Sequence, residues 1–329
     1  MELLLDTSAQ LRKATIPKGQ EKLRKRARRV RYKQDHIERL KALDSPLHKM
    51  YVRADFCATE IIHQGDKLTT EYCNSRCCSV CNSIRTAKLI EGYSPVLDKL
   101  KEPQMVTLTY GQRVKKEGIR PRTEVMNKTI RQVFDTLRKR GIKAKGIRKT
   151  EIASRETDNT FHVHFHLIIE GAEVSKLIVS EWLKRATQAK RPAQDIRAFD
   201  GNYKELFKYV TKEHHNSSPE NQDAIYKAMY GKRIFQPFGG IKKVSEEIEV
   251  FQVDSVLDWL GYARYPIKYT WIQEAHDWID LKTGVCLSGY HPSQDPKPKI
   301  DKGKRKELRK ARLKARQTNE IMKNTKFTR

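Results

Sequence analysis

Apolar and polar positions change their period along the chain, and each change marks an element. Residues 104–110 (QMVTLTY) are rich in β-branched side chains and alternate, which predicts a strand. In EVMNKTIRQVFDTLRKRGIK (124–143), Val125, Ile130, Val133, Phe134 and Leu137 share one helical face and Gly141 stops the pattern, predicting an amphipathic helix. GIRKTEIA and FHVHFHLIIEG predict two further strands, joined by the polar turn SRETDN. AEVSKLIVSEWLKRAT and YKELFKYVTKEHH predict helices, and no internal repeat is visible. The order strand, helix, strand, hairpin strand, helix, helix predicts an α+β fold: a central antiparallel sheet with flanking helices.

The ends of the chain are different in kind. KLRKRARRVRYK (22–33) has helix-compatible spacing but little apolar stripe, and residues 51–90 hold five of the six cysteines. HPSQDPKPKIDKGK predicts a disordered linker into a basic tail. Five segments are expected: a basic N-terminal helical extension (1–45), a zinc-binding module (46–92), a catalytic domain (93–245), an accessory segment (246–290) and a basic, disordered tail (291–329).

Charge sharpens the picture. The net charge of +27 predicts a polyanionic partner, because basic surfaces bind phosphate and release its counterions. No apolar run approaches the roughly 20 residues of a membrane helix. The N-terminus is a poor signal peptide, so a cytoplasmic protein with no membrane partner is expected, and disulfides are not. Neither GxxxxGK[ST] nor GxGxxG follows a strand, so no built-in nucleotide-hydrolysis site is expected.

Chemistry concentrates in two places. On a strand His162, His164 and His166 share one face, with Val163, Phe165 and Leu167 on the other. Three imidazoles in register suit a metal or a phosphate. Glu151, on the preceding strand of the hairpin, can complete a set of two histidines and a carboxylate, which holds a divalent cation with positions left open. The cysteine segment offers Cys57, Cys73, Cys77, Cys78 and Cys81, five candidates for the four places of a closed tetrahedral zinc site. Cys78 and Cys81 form a Cys-x2-Cys knuckle, Cys57 is expected on a strand of a hairpin centred on QGD, and His63 is a weaker ligand. Arg76, Arg85 and Lys88 surround this segment and are expected to contact DNA.

Three blocks, MVTLTY, HVHFHLII and ELFKYVTK, occur in an order that resembles the rolling-circle replication initiators of small plasmids, within the HUH endonucleases (histidine, large hydrophobic, histidine). The resemblance covers roughly residues 55–245. It implies that His164 and His166 are the metal pair, holding Mn²⁺ or Mg²⁺ with Glu151, and that His162 is auxiliary. It implies that Cys57, Cys73, Cys78 and Cys81 bind Zn²⁺ while Cys77 stays a buried thiol. Tyr209 is the implied nucleophile, forming a 5′-phosphotyrosine and freeing a 3′-OH. Glu205 at i−4 and Lys212 at i+3 share its helical face, as a base for hydrolysis and a phosphate or phenolate partner. Tyr226 and Tyr230 form a rival i, i+4 pair, which the neighbouring Ile225 and Met229 mark instead as a core face. The implied partners are single-stranded and origin DNA, with host helicase and polymerase. The alternatives are an HUH transposase and a non-catalytic zinc-containing DNA-binding regulator.

Overall fold

The computed structural model describes residues 18–207, 217–244, 256 and 259–295. The chain divides into two compact units, residues 1–290 and 291–329. Of the second, the described residues form one 3₁₀ turn, Pro292–Gln294.

The first unit is α+β, as expected, with two antiparallel sheets and helices against them. The larger sheet is built from β3 (Gln104–Thr109), β4 (Gly146–Arg155), β5 (Thr160–Ile169), β6 (Asp195–Ala198) and β7 (Phe235–Phe238), in the order β6-β3-β5-β4-β7. The strand predicted from FHVHFHLII is therefore central, with β3 on one side and β4 on the other. Gly146 opens β4 where a side chain has no room: a Cβ there would lie 2.0 Å from the Ile168 carbonyl oxygen.

Period-2 alternation gives this sheet two apolar faces. On one, Val106, Leu108, Ile152, Val163, Phe165 and Leu167 meet α4 (Ile119–Lys139), α5 (Ala172–Arg185) and α7 (Pro219–Met229). Trp182 is fully buried there, and its Nε1–H donates to the Thr109 carbonyl at 2.8 Å, so the one polar atom of the indole is satisfied. On the other, Met105, Ile147 and Ile168 meet α3 (Ser79–Leu97) and the short α6 (Tyr203–Phe207). Helix α4 starts at Ile119, earlier than predicted, and ends before Gly141 at φ +76 as expected, but Val125 is exposed and Met126 takes the buried place. A one-residue error in phase moves a side chain 100° around a helix, and the apolar Val125 misled the reading.

The smaller sheet joins distant parts of the chain. β1 (Glu60–Gly65) and β2 (Lys67–Thr69) form the hairpin around QGD, and β8 (Ala263–Ile272) and β9 (Asp277–Asp280) extend it in the order β2-β1-β8-β9. Against it lie α1 (Lys18–Lys41) and α2 (His48–Asp55). Helix α1 corrects the expectation of little apolar stripe: Leu23, Ala27, Val30, Ile37 and Leu40 are buried at three- and four-residue steps, with Lys33 in the same line. Arginines at intervening positions hid this stripe in the sequence.

Candidate metal centres

The first centre is written into the strand register. On β5, His164 stands opposite Glu151 of β4 and Thr109 of β3, while His166 stands opposite Lys149 and Thr107. Their shared face brings Glu151, His164 and His166 together, with one ligand atom of each within 4.8 Å of the others. Both imidazoles turn Nε2 toward the carboxylate: His164 Nε2 lies 3.8 Å from Glu151 Oε1 and His166 Nε2 lies 3.6 Å from Oε2. The opposite ring nitrogens are held from behind. His166 Nδ1 is 3.2 Å from Thr107 Oγ1, and His164 Nδ1 is 3.3 Å from the His162 carbonyl. A metal-ligating histidine needs its second nitrogen fixed in this way, since that partner sets the tautomer and the ring plane.

The charges suit a cation. Burial, then the neighbouring His166, pulls His164 down to about 4, so its Nε2 lone pair is free of a proton at neutral pH. Burial pushes Glu151 up, but the charge and hydrogen bond of Lys149, with smaller help from both histidines, outweigh it and hold the carboxyl below its usual range. Lys149 Nζ donates to Glu151 Oε2 at 2.6 Å from a side chain almost fully buried. Sequence reasoning missed Lys149, although in RKTEIA it lies two residues before Glu151 and so on the same face. His162 stacks on His164 with ring centroids 5.3 Å apart and lies outside the three-residue cluster. Burial, His164, Arg113 and Arg122 hold it at about 4.

The second centre gathers four buried thiols: Cys57, Cys73, Cys78 and Cys81. Cys57 Sγ and Cys73 Sγ lie 3.5 and 3.7 Å from Cys81 Sγ. Sulfurs at the corners of a tetrahedron about zinc stand about 3.8 Å apart for Zn–S bonds of about 2.3 Å, so the thiols fit that ion. Cys78 also caps α3, its Sγ accepting from the Cys81 N–H, and a helix N-terminus favours a thiolate. Cys57 sits in the turn between α2 and β1, not on the expected strand; the hairpin begins three residues later. Cys77 and His63 are buried outside the cluster, and burial, then the nearby Cys73, pushes the Cys77 thiol up to about 12. Four thiolates and Zn²⁺ would leave two negative charges in the core. Helix α1 faces them with Lys33 and Arg26, both interacting electrostatically with these thiols. Lys33 Nζ also donates to the Asp55 and Cys57 carbonyls at 2.5 and 2.9 Å, which fixes the turn that carries Cys57.

Other predicted residues are placed as follows. Arg76 donates to the Met229 and Lys232 carbonyls at 2.7 and 2.5 Å, tying the thiol loop to the end of α7. Arg85 donates to Asn82 and to the Asn74 carbonyl, and Lys88 is half-buried on α3. Glu205 pairs with Arg197 at 2.9 Å and is half-exposed. Tyr209 and Lys212 lie outside the described residues. Tyr226 is buried, as expected, whereas Tyr230 is 61% exposed because α7 ends at Met229. Among the described residues no helix is long and apolar enough to cross a membrane.

Comparison with curated proteins and with solved structures finds no match. A family model described as Replication protein, Rep_1, matches residues 66–280. That span holds Glu151, His164 and His166, three of the four clustered thiols, and strands from both sheets. It takes in well over half of the chain, in agreement with the resemblance to plasmid rolling-circle initiators carried by the three ordered blocks. The chain therefore belongs to the Rep_1 family of replication proteins.

Proposed function

We propose that this replication protein nicks one strand of its plasmid origin through a tyrosine and later rejoins or releases that strand. The observation that carries this reading is the trio Glu151, His164 and His166, with both Nε2 atoms turned toward one carboxylate. A divalent cation held there, Mn²⁺ or Mg²⁺, would polarise the scissile phosphate and offset charge in the transition state. Lys149 orients Glu151; at 1% exposure it is too buried to reach a DNA phosphate itself.

Tyr209 supplies the nucleophile. Its phenolate oxygen forms a bond to phosphorus as the bond to the 3′ oxygen breaks, and that oxygen leaves with a proton as 3′-OH for a polymerase. Phe207, two residues earlier, is buried beside Tyr93 and Phe235 on the sheet face that also bears the histidines, which supports this role. Glu205 serves as the base for the hydrolytic end step and Lys212 as a phosphate partner. The four thiols hold zinc and brace α3, whose length crosses the same face. Lys88, Arg85 and the basic ends supply DNA affinity in the cytoplasm, where host helicase and polymerase would take over the opened strand.

Nicking of a single-stranded origin oligonucleotide tests this. His164→Ala and His166→Ala are expected to abolish cleavage and keep most DNA binding, which rests on basic contacts. His162→Ala should lose less. Cleavage in excess EDTA, or equal loss from all three substitutions, would contradict the reading. Thr107→Val removes the oxygen behind His166 and keeps a β-branched strand residue. It is expected to weaken Mn²⁺ binding about 10- to 100-fold, read by titration.

A further inference from the structure

Among the described residues, the α4 side of the larger sheet holds a charge with no anion to meet it. Arg148 of β4 is 3% exposed. Its Nη2 donates to Asn127 Oδ1 at 2.7 Å and to Gln236 Oε1 at 2.6 Å, and its guanidinium carbon stands 4.2 Å from the centre of the Phe165 ring. These partners are neutral. Nη1 is buried and makes no hydrogen bond among the described residues. Burial, then the charge of Arg131, pulls the guanidinium down to about 9, an unusual position for an arginine. A buried cation left in this way is costly unless a negative group arrives.

There is room for one. A cleft of about 260 Å³ is lined by Arg148, Arg131, Lys232, Asn127, Gln236 and Glu124. Glu124 is its one acid among the described residues, and it is engaged by Lys232 at 2.7 Å and by Arg120 at 3.5 Å. Arg131 is exposed at the surface of α4. By alternation Arg148 faces away from Lys149 and Glu151, so the cleft lies across the sheet from the metal trio.

We propose that this cleft binds a phosphate group, with Arg148 as its buried cation and Arg131 and Lys232 at its rim. A planar guanidinium held by two amides and an aromatic ring is fixed in advance for a tetrahedral oxyanion. The chain's net charge of +27 and its replication-protein family favour a DNA phosphodiester over free phosphate as the source. The site does not depend on strand cleavage, so it is tested by binding without added divalent cation, where failure of nicking has no bearing.

The full-length protein is melted in inorganic phosphate and in chloride of equal ionic strength. Phosphate is expected to raise the Tm of the wild type and not that of Arg131→Gln or Arg148→Gln. Arg131 is on the surface, so its variant reports even if Arg148→Gln does not fold. A clamp that merely joins α4 to β7 would melt alike in both salts. Affinity for a single-stranded oligonucleotide is then measured against salt. Loss of one phosphate contact lowers the log–log slope by about 0.7. A reduced slope in Arg131→Gln supports the site with a DNA phosphodiester as its ligand. An unchanged slope with the phosphate-specific Tm shift supports the site with free phosphate as its ligand. Equal wild-type Tm in phosphate and chloride overturns the proposal, whatever the slopes.

Discussion

Tyr209→Phe is expected to bind DNA and divalent metal normally and to form no covalent protein–DNA adduct. The substitution removes one oxygen and keeps the ring, so on the proposed mechanism only the attacking atom is lost. Glu205→Gln should separate from it. Glu205 pairs with Arg197 at half exposure, a contact worth about 0–1 kcal/mol in water, so the variant keeps its fold and any effect is kinetic. It should still nick, because in the proposed mechanism Tyr209 attacks without that carboxylate. It should fail at hydrolysis, and loss of a general base costs about 10²- to 10⁴-fold in rate. Adduct should therefore accumulate on a denaturing gel of end-labelled DNA. Adduct from Tyr209→Phe would shift the role to another tyrosine, with the exposed Tyr230 the first to try. If Glu205→Gln blocks the first nick as fully as Tyr209→Phe, the carboxylate acts in activation and the termination role falls.

The parts of this site that were legible share a cause. A strand has period 2, so HVHFH fixes which side chains travel together without any knowledge of the fold. The short turn, expected over SRETDN and narrowed in the structure to residues 156–159, then fixes the neighbour: with so few residues between β4 and β5 the register is tight, and Glu151 must fall near His164. Lys149 obeys the same rule. It was missed because a lysine beside a carboxylate is ordinarily a solvated surface pair, and only burial makes it a fixed partner. Arg148 was hidden for a similar reason, since its meaning depends on the neutral amides of Asn127 and Gln236, which come from α4 and β7.

What was not legible is mostly long-range. β8 pairs with β1 of a hairpin some two hundred residues earlier in the chain, and β9 adds to β8; no local pattern announces such a partner. The stripe of α1 was obscured because arginines fill the positions between its apolar residues, which lowers the mean hydropathy of the helix without breaking its period. Its lysine is the more telling case. Lys33 looks like one more charge in a basic run, yet it is fully buried, held by the carbonyls of Asp55 and Cys57 beside the thiol cluster.

Cys81→Ser is expected to release the zinc and unfold the part of the protein built around it. Cys57, Cys73, Cys78 and Cys81 lie in one core cluster with α1, α2 and the smaller sheet, beside Tyr51, Trp271 and Trp278. A structural zinc supplies about 10–16 kcal/mol to a small metal-dependent fold at neutral pH. A domain is stable by only about 5–15 kcal/mol, so its other contacts do not replace the metal. Once the ion leaves, Lys33 and Arg26 face a core without the two negative charges they were buried against, which adds to the loss. Purified wild type should hold one zinc per chain through dialysis that strips Mn²⁺ or Mg²⁺, because a closed thiolate site binds more tightly than an open histidine–carboxylate one. Cys81→Ser should lack it by elemental analysis, lose much of its cooperative melting and precipitate. Cys77→Ala should keep both zinc and melting, since that thiol lies outside the cluster. A Cys81→Ser protein that melts like the wild type without zinc would show that packing alone holds this core.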